Sequence, residues 1–197
     1  MAAILMMITF TMIFTENYVL VKFLGICPFL GVSKKLDSCL GMTGAVTFVM
    51  TIASAATWAI YNKVMIPHHL EYLRTIIFIL VIASLVQFVE IVLKRYIKGL
   101  YKALGIYLPL ITTNCAVLAV TILNIDNEYS LPEACADGFS AGIGFGLALV
   151  LFCGVRKALE NARPPKAFEG LPITLIAAAL TSMTFMGFAG IAESLFG

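Results

Sequence analysis

Charged residues are scarce in this chain: Lys, Arg, Asp and Glu make up 12% of its 197 residues, against about 25% in ordinary soluble domains. The polar connections between apolar runs are short, which leaves no room for a soluble catalytic domain, a nucleotide-binding loop or a nucleic-acid-binding surface. Histidine occurs only at His68 and His69, with no acidic or cysteine companion at ligand spacing, so a histidine metal site is not expected. The cysteines include no C-x-x-C pair. No basic n-region opens the chain and no A-x-A cleavage site follows, so the first apolar run is expected to be retained as a span.

What the chain has in abundance is apolar sequence, 61% of residues, with a mean hydropathy of +1.00. A span needs about 20 apolar residues, and six stretches meet this: roughly Ala3 to Gly31, Leu40 to Tyr61, Tyr72 to Leu93, Tyr101 to Asn124, Ala134 to Val155 and Leu171 to Leu195. The expected fold is an all-α integral membrane protein, a single membrane domain over residues 1–197. The net charge of +2 says little, but its distribution does. Lys34, Lys35, Lys94, Arg95, Lys98, Lys102, Arg156, Lys157, Arg163 and Lys166 follow the odd-numbered spans, whereas Lys63, Arg74 and the acids Asp126, Glu128, Glu133 and Asp137 lie at the other side. The positive-inside bias then puts both termini outside the cytoplasm.

Two of the spans carry interruptions. Leu24-Gly25-Ile26-Cys27-Pro28-Phe29-Leu30-Gly31 and Leu108-Pro109-Leu110-Ile111-Thr112-Thr113-Asn114-Cys115 place Gly, Pro and capping residue types at bilayer depth. Backbone groups left unpaired there cost several kcal/mol each, so a broken helix survives only where protein or a bound group satisfies it. Leu24-Gly25-Ile26 recurs as Leu104-Gly105-Ile106, with Pro28 and Pro109 just behind, and weaker echoes follow in the same order. Three spans per half is an odd number, so residues 1–95 and 96–197 are expected to form a 3+3 inverted repeat whose broken first and fourth helices face each other near the midplane.

Pro28 suits the first turn of a new half-helix, with Cys27 expected at its cap. Thr112, Thr113 and Asn114 are capping types immediately before Cys115. Both sulfurs would then sit near half-helix N-termini, where positive dipole ends favour a thiolate or an anionic cluster. Cys27 and Cys115 are thus candidate metal ligands, the alternative being that each is merely a small buried hydrophobe.

The runs Phe23–Lys35 and Leu104–Val117, with Glu71-Tyr72-Leu73-Arg74-Thr75 between them, resemble the A subunits of Rnf complexes, the ion-translocating ferredoxin:NAD oxidoreductases of bacteria and some archaea. The E subunit of the sodium-translocating NADH:quinone reductase is almost as similar. The resemblance implies a plasma-membrane electron-transfer subunit, inactive alone, that pairs with a paralogous E subunit of opposite topology beside flavin- and iron–sulfur-carrying subunits. It implies further that Cys27 and Cys115 match the positions holding half of a 2Fe-2S cluster, shared with that partner. Such a cluster takes four thiolates, and this chain offers two at breaks. A hydrocarbon core of roughly 30 Å also gives such a relay a purpose, since it divides an otherwise overlong electron crossing. A secondary ion transporter of inverted-repeat type is the competing class, because broken helices suit it equally.

Other residues carry weaker signals. Glu90, about a turn inside the third span, is an ion-pathway candidate for Na⁺ or H⁺, or else a boundary carboxylate reaching Lys94. Glu16, Asn17 and Lys22 interrupt the first span, and the two charges are expected to neutralise each other or pair with a partner. Cys39, Cys135 and Cys153 lie away from breaks and read as packing residues, without disulfides. Gly138, Gly142 and Gly146 form a close-packing face that could mark a partner interface, and Arg163-Pro164-Pro165 reads as a rigid loop.

Overall fold

The computed structural model describes residues 9–33, 36–68, 71–96, 108–160, 165 and 168–196. Among them all regular structure is helical: α1 (Ile26–Val32), α2 (Leu36–Ile60), α3 (Arg74–Tyr96), α4 (Leu108–Thr112), α5 (Cys115–Asp126), α6 (Leu131–Glu160) and α7 (Leu171–Phe196), with short helical turns at Thr11–Thr15, Tyr61–Met65, Ile66–His68 and Glu71–Leu73. Four helical segments are long and apolar enough to cross a membrane: Leu36–Met65, Arg74–Val92, Pro109–Asp126 and Leu131–Leu159. A shorter apolar helix covers Leu171–Gly187. The described part of the first expected span is a π-helical turn, an irregular stretch and the seven-residue α1. Lys34, Lys35, His69, Leu104-Gly105-Ile106, Arg163 and Pro164 lie outside the described residues.

The centre of the bundle is the pairing of α2 with α6. Both are apolar on nearly every side, so side-chain size rather than polarity decides which faces meet. A Cβ added at Gly138 would lie 2.6 Å from Ser54 Oγ, and one at Gly142 would lie 2.5 Å from Thr47 Cα; Gly146 packs as tightly against Thr43. The glycine stripe therefore packs inside this chain and does not mark a partner interface. The threonines opposite are compatible with so dry a contact because their hydroxyls donate within their own helix, Thr43 to Cys39 O at 2.8 Å and Thr47 to Thr43 O at 2.7 Å.

Side-chain bonds define the two ends of the bundle. At one end Arg74 Nη1 pairs with Asp126 Oδ1 at 2.6 Å and the Trp58 indole donates to Tyr129 O at 2.8 Å. The N-terminus of α6 is closed there by Glu133, whose Oε2 accepts from Ser130 N at 2.9 Å and Ser130 Oγ at 2.7 Å. At the other end the Arg156 guanidinium donates to Leu30 O at 2.6 Å and Ser33 Oγ at 2.8 Å, so a cation satisfies the last turn of α1. Phe29 stacks on Phe152 at 4.3 Å along the same contact.

Candidate functional site

The first break is organised by Asn17, which is fully buried. Its amide nitrogen donates to Ile13 O at 3.2 Å and to Gly144 O on α6 at 2.7 Å, while its Oδ1 accepts from Val19 N at 3.0 Å and Leu20 N at 3.2 Å. One side chain thus replaces several of the backbone bonds that the interruption removes. The Ser182 hydroxyl of α7 donates to Leu20 O and adds another. Glu16 and Lys22 neutralise each other within the chain, at 2.8 Å, and the ammonium lies 5.1 Å from the centre of the Tyr18 ring.

The chain leaves this irregular stretch through Phe23 and Gly25, both with positive φ, and α1 starts at Ile26 with Gly25 as its cap. Cys27 is therefore in the first turn and not at the cap, as its place before Pro28 had suggested. The left-handed conformation required at the cap suits glycine, at φ +80°. The second break follows the sequence pattern more closely. Thr113 Oγ1 donates to Pro109 O at 3.1 Å, Asn114 is extended, and its side chain accepts from Ala116 N at 3.1 Å, so α5 begins at Cys115.

The two caps touch. A Cβ on Gly25 would stand 2.8 Å from Asn114 Oδ1, 3.1 Å from the Phe145 ring and 3.2 Å from Ala116 Cβ. Phe145 is the middle of the 30-residue α6, about 21 Å from either end at 1.5 Å per residue. From this mid-depth junction α1 runs towards the Arg156 end. α5 runs towards the opposite end, where Asn124 Nδ2 donates to Ala134 O at 3.4 Å. Two half-helices thus start back to back and diverge to opposite surfaces.

Cys27 and Cys115 follow the caps by two residues and one, and both are exposed. The other cysteines are free too, but Cys39 and Cys153 are buried and Cys135 is half-buried; the Cys39 thiol donates to Val32 O at 3.6 Å. Among the described residues there is no group of three or more His, Cys, Asp or Glu that could hold a metal ion. What this chain presents beside the touching caps is two exposed sulfur donors, Cys27 on α1 and Cys115 on α5, of the donor type that thiolate-ligated groups take. Glu90 lies elsewhere, half-buried on the last third of α3. Sequence reasoning undervalued Asn17 and Gly25, whose only signal was a polar residue and a glycine within an apolar run.

A family model described as "Rnf-Nqr subunit, membrane protein" matches residues 5–192. The chain belongs to the Rnf-Nqr family. This Rnf-Nqr chain is 53% identical over 186 residues to the A subunit of the Na(+)-translocating ferredoxin:NAD(+) oxidoreductase complex of Acetobacterium woodii, covering 94% of this chain and 97% of that protein. It is 52% identical over 187 residues to the A subunit of the ion-translocating oxidoreductase complex of Syntrophotalea carbinolica, covering 95% and 97%. A protein of the same name from Azoarcus sp. is 54% identical over 176 residues, covering 89% and 91%. The likeness to Rnf A subunits read from the sequence is therefore borne out.

Proposed function

We propose that this Rnf-Nqr chain is the membrane electron-transfer subunit of an ion-translocating ferredoxin:NAD oxidoreductase complex in a bacterial or archaeal plasma membrane. In this reading Cys27 and Cys115 supply half the ligands of a 2Fe-2S cluster, and a paralogous subunit of opposite topology supplies the rest. The observation that carries the reading is the junction itself: two exposed thiols beside touching helix caps, at the middle of a membrane-length helix. A thiol facing hydrocarbon has little use, whereas one facing a second protein surface can ligate. Such a cluster, when bound, takes up and releases one electron at mid-depth.

The chain's own residues do the positioning. Asn17 and Asn114 satisfy the broken backbone, Gly25 lets the caps approach, and Arg156 fixes the far end of α1, so both sulfurs are presented on short rigid arms. Residues 1–95 and 96–197 are, on this reading, the inverted repeats whose first helices end at the junction, and both termini face away from the cytoplasm. Glu90 remains a candidate for the ion path.

The test is made on the intact complex, purified after Cys27→Ser or Cys115→Ser. Each variant is expected to lose two irons per complex and one reducible visible-absorbing centre, and to stop electron transfer across the membrane. Cys39→Ser and Cys135→Ser are expected to keep both. Full iron content and undiminished throughput in the Cys27 and Cys115 variants would favour an ion transporter without a cluster.

A further inference from the structure

At the end of the bundle where α2, α5 and the start of α6 meet, a half-open cavity of about 490 Å³ is lined by Trp58, Asn62, Asn124, Glu128, Tyr129 and Glu133, among others. Among the described residues its lining includes two carboxylates and no lysine or arginine. Asn124 forms the buried part of the wall, at 1% exposure. Its amide nitrogen is held by Ser54 Oγ at 3.1 Å and Ala134 O at 3.4 Å, while its Oδ1 has no hydrogen-bond partner among the described residues. One helical turn beyond Glu133 on the same face of α6 comes Asp137, also 1% exposed, and neither of its oxygens has a hydrogen-bond partner among the described residues.

Among the described residues Lys22 is the one cation that acts on Asp137. Among the described residues Lys22, Glu16, Tyr18 and Tyr129 are the titratable groups that act on it from the N-terminal segment and the α5–α6 turn, and Glu133 lies one turn before it on its own helix. Lys22 is committed to Glu16 at 2.8 Å. The Tyr18 hydroxyl, buried as well, has no hydrogen-bond partner among the described residues. The next residue, Gly138, packs against the Ser54 hydroxyl of α2. A carboxylate in such a place is costly unless a cation or a proton occupies it. The oxygens left over, from Asp137, Asn124 and Tyr18, are hard ligands of the kind that suit a small cation. Glu128 and Glu133 at the cavity mouth raise the local cation concentration.

We propose that Asp137, with Asn124 of α5 bonded to Ala134 O one turn before it, is an exchangeable cation site loaded from the Glu128–Glu133 cavity, taking a proton or Na⁺. It is separate from Glu90 and from the cysteines, and it rests on the proposed function only for its use in ion translocation.

Modification by dicyclohexylcarbodiimide, which reacts with protonated carboxyls in apolar surroundings, tests the site in the membrane-embedded complex. The Asp137 peptide is quantified by mass spectrometry. Modification is expected to fall as pH rises and to vanish in Asp137→Asn. Protection by NaCl but not by choline chloride assigns the site to Na⁺; pH-dependent modification that Na⁺ leaves untouched assigns it to the proton. In low-salt buffer Glu128→Gln is expected to raise the half-protecting cation concentration about two- to three-fold. The proposal is overturned if Asp137 stays unmodified while a water-soluble carbodiimide labels Glu128 in the same sample, or if its modification ignores both pH and Na⁺. Repeating the experiment with Cys27→Ser separates the two proposals, because this readout does not need electron transfer.

Discussion

Replacing Gly25 by alanine tests the junction at its tightest point. The new methyl group meets two independent obstacles. At φ +80° the residue is left-handed, which costs a non-glycine residue about 1–2 kcal/mol. The Cβ would also stand 2.8 Å from Asn114 Oδ1, with Phe145 and Ala116 at 3.1 and 3.2 Å on the other sides. Asn114 cannot yield freely, because that oxygen accepts from Ala116 N and caps α5. Keeping the cap means overpacking at about 1–3 kcal/mol, and moving the side chain gives up a cap of about 1 kcal/mol. The expected loss is about 2–5 kcal/mol. Two other glycines separate the contributions. Gly170 has φ +89° with nothing within 4 Å of an added Cβ, so Gly170→Ala should lose only about 1–2 kcal/mol. Gly154, helical and open, should tolerate alanine or gain up to about 1 kcal/mol. Unfolding of the detergent-solubilised complex, followed by denaturant titration, should rank Gly25→Ala below Gly170→Ala and Gly170→Ala below Gly154→Ala. If Gly25→Ala unfolds with Gly154→Ala, the contact between the caps is not what holds the breaks together.

Gly142→Val should destabilise by at least about 3 kcal/mol, because the branch would enter the Thr47 backbone, with loss of folded chain from membranes as the readout. Arg156→Met keeps the apolar stem but removes the donors to Leu30 O and Ser33 Oγ. It should cost about 2–3 kcal/mol and raise the alkylation rate of Cys27 in the isolated chain, whereas Cys115 should react as before. Equal changes at both cysteines would show that Arg156 acts on the whole bundle.

Much of this was legible because membranes simplify the code. Apolar length alone found α2, α3 and α6, and Pro109 followed by Thr-Thr-Asn marked the second break together with its cap. The first break is legible too, but Pro28 points to Cys27 as its cap, two residues past the glycine that holds φ +80°. The glycine stripe was recognised as a packing face, yet sequence could not say against what. Two helices this evenly apolar offer no polarity to orient them, and only the structure sets Gly142 on Thr47. In the sequence Asp137 groups with Asp126, Glu128 and Glu133, the acids of one side, because it follows them. Its burial depends on α6 starting at Leu131, which puts Asp137 nearly two turns inside the helix.

The exposure of the two thiols bears on assembly as well as chemistry. Around Cys27 and Cys115 the exposed surface includes Phe23, Gly31, Pro109 and Thr113, a mixture of one aromatic and small residues that permits close approach of another helix surface. A Cβ added at Gly31 would lie 3.5 Å from Leu110, so α1 and α4 present this surface side by side. In lipid the same surface would leave the exposed Thr113 and two thiols against acyl chains. On the proposed function a second protein surface lies here, uses both sulfurs and covers the breaks. Thr113→Arg sets a long cation there without touching the Asn114 cap or either cysteine. The variant chain should still insert, but it should fail to co-purify with its complex, and iron should be lost with the partner. Normal co-purification of Thr113→Arg would place the partner on another face and leave the two cysteines without a source for the remaining ligands.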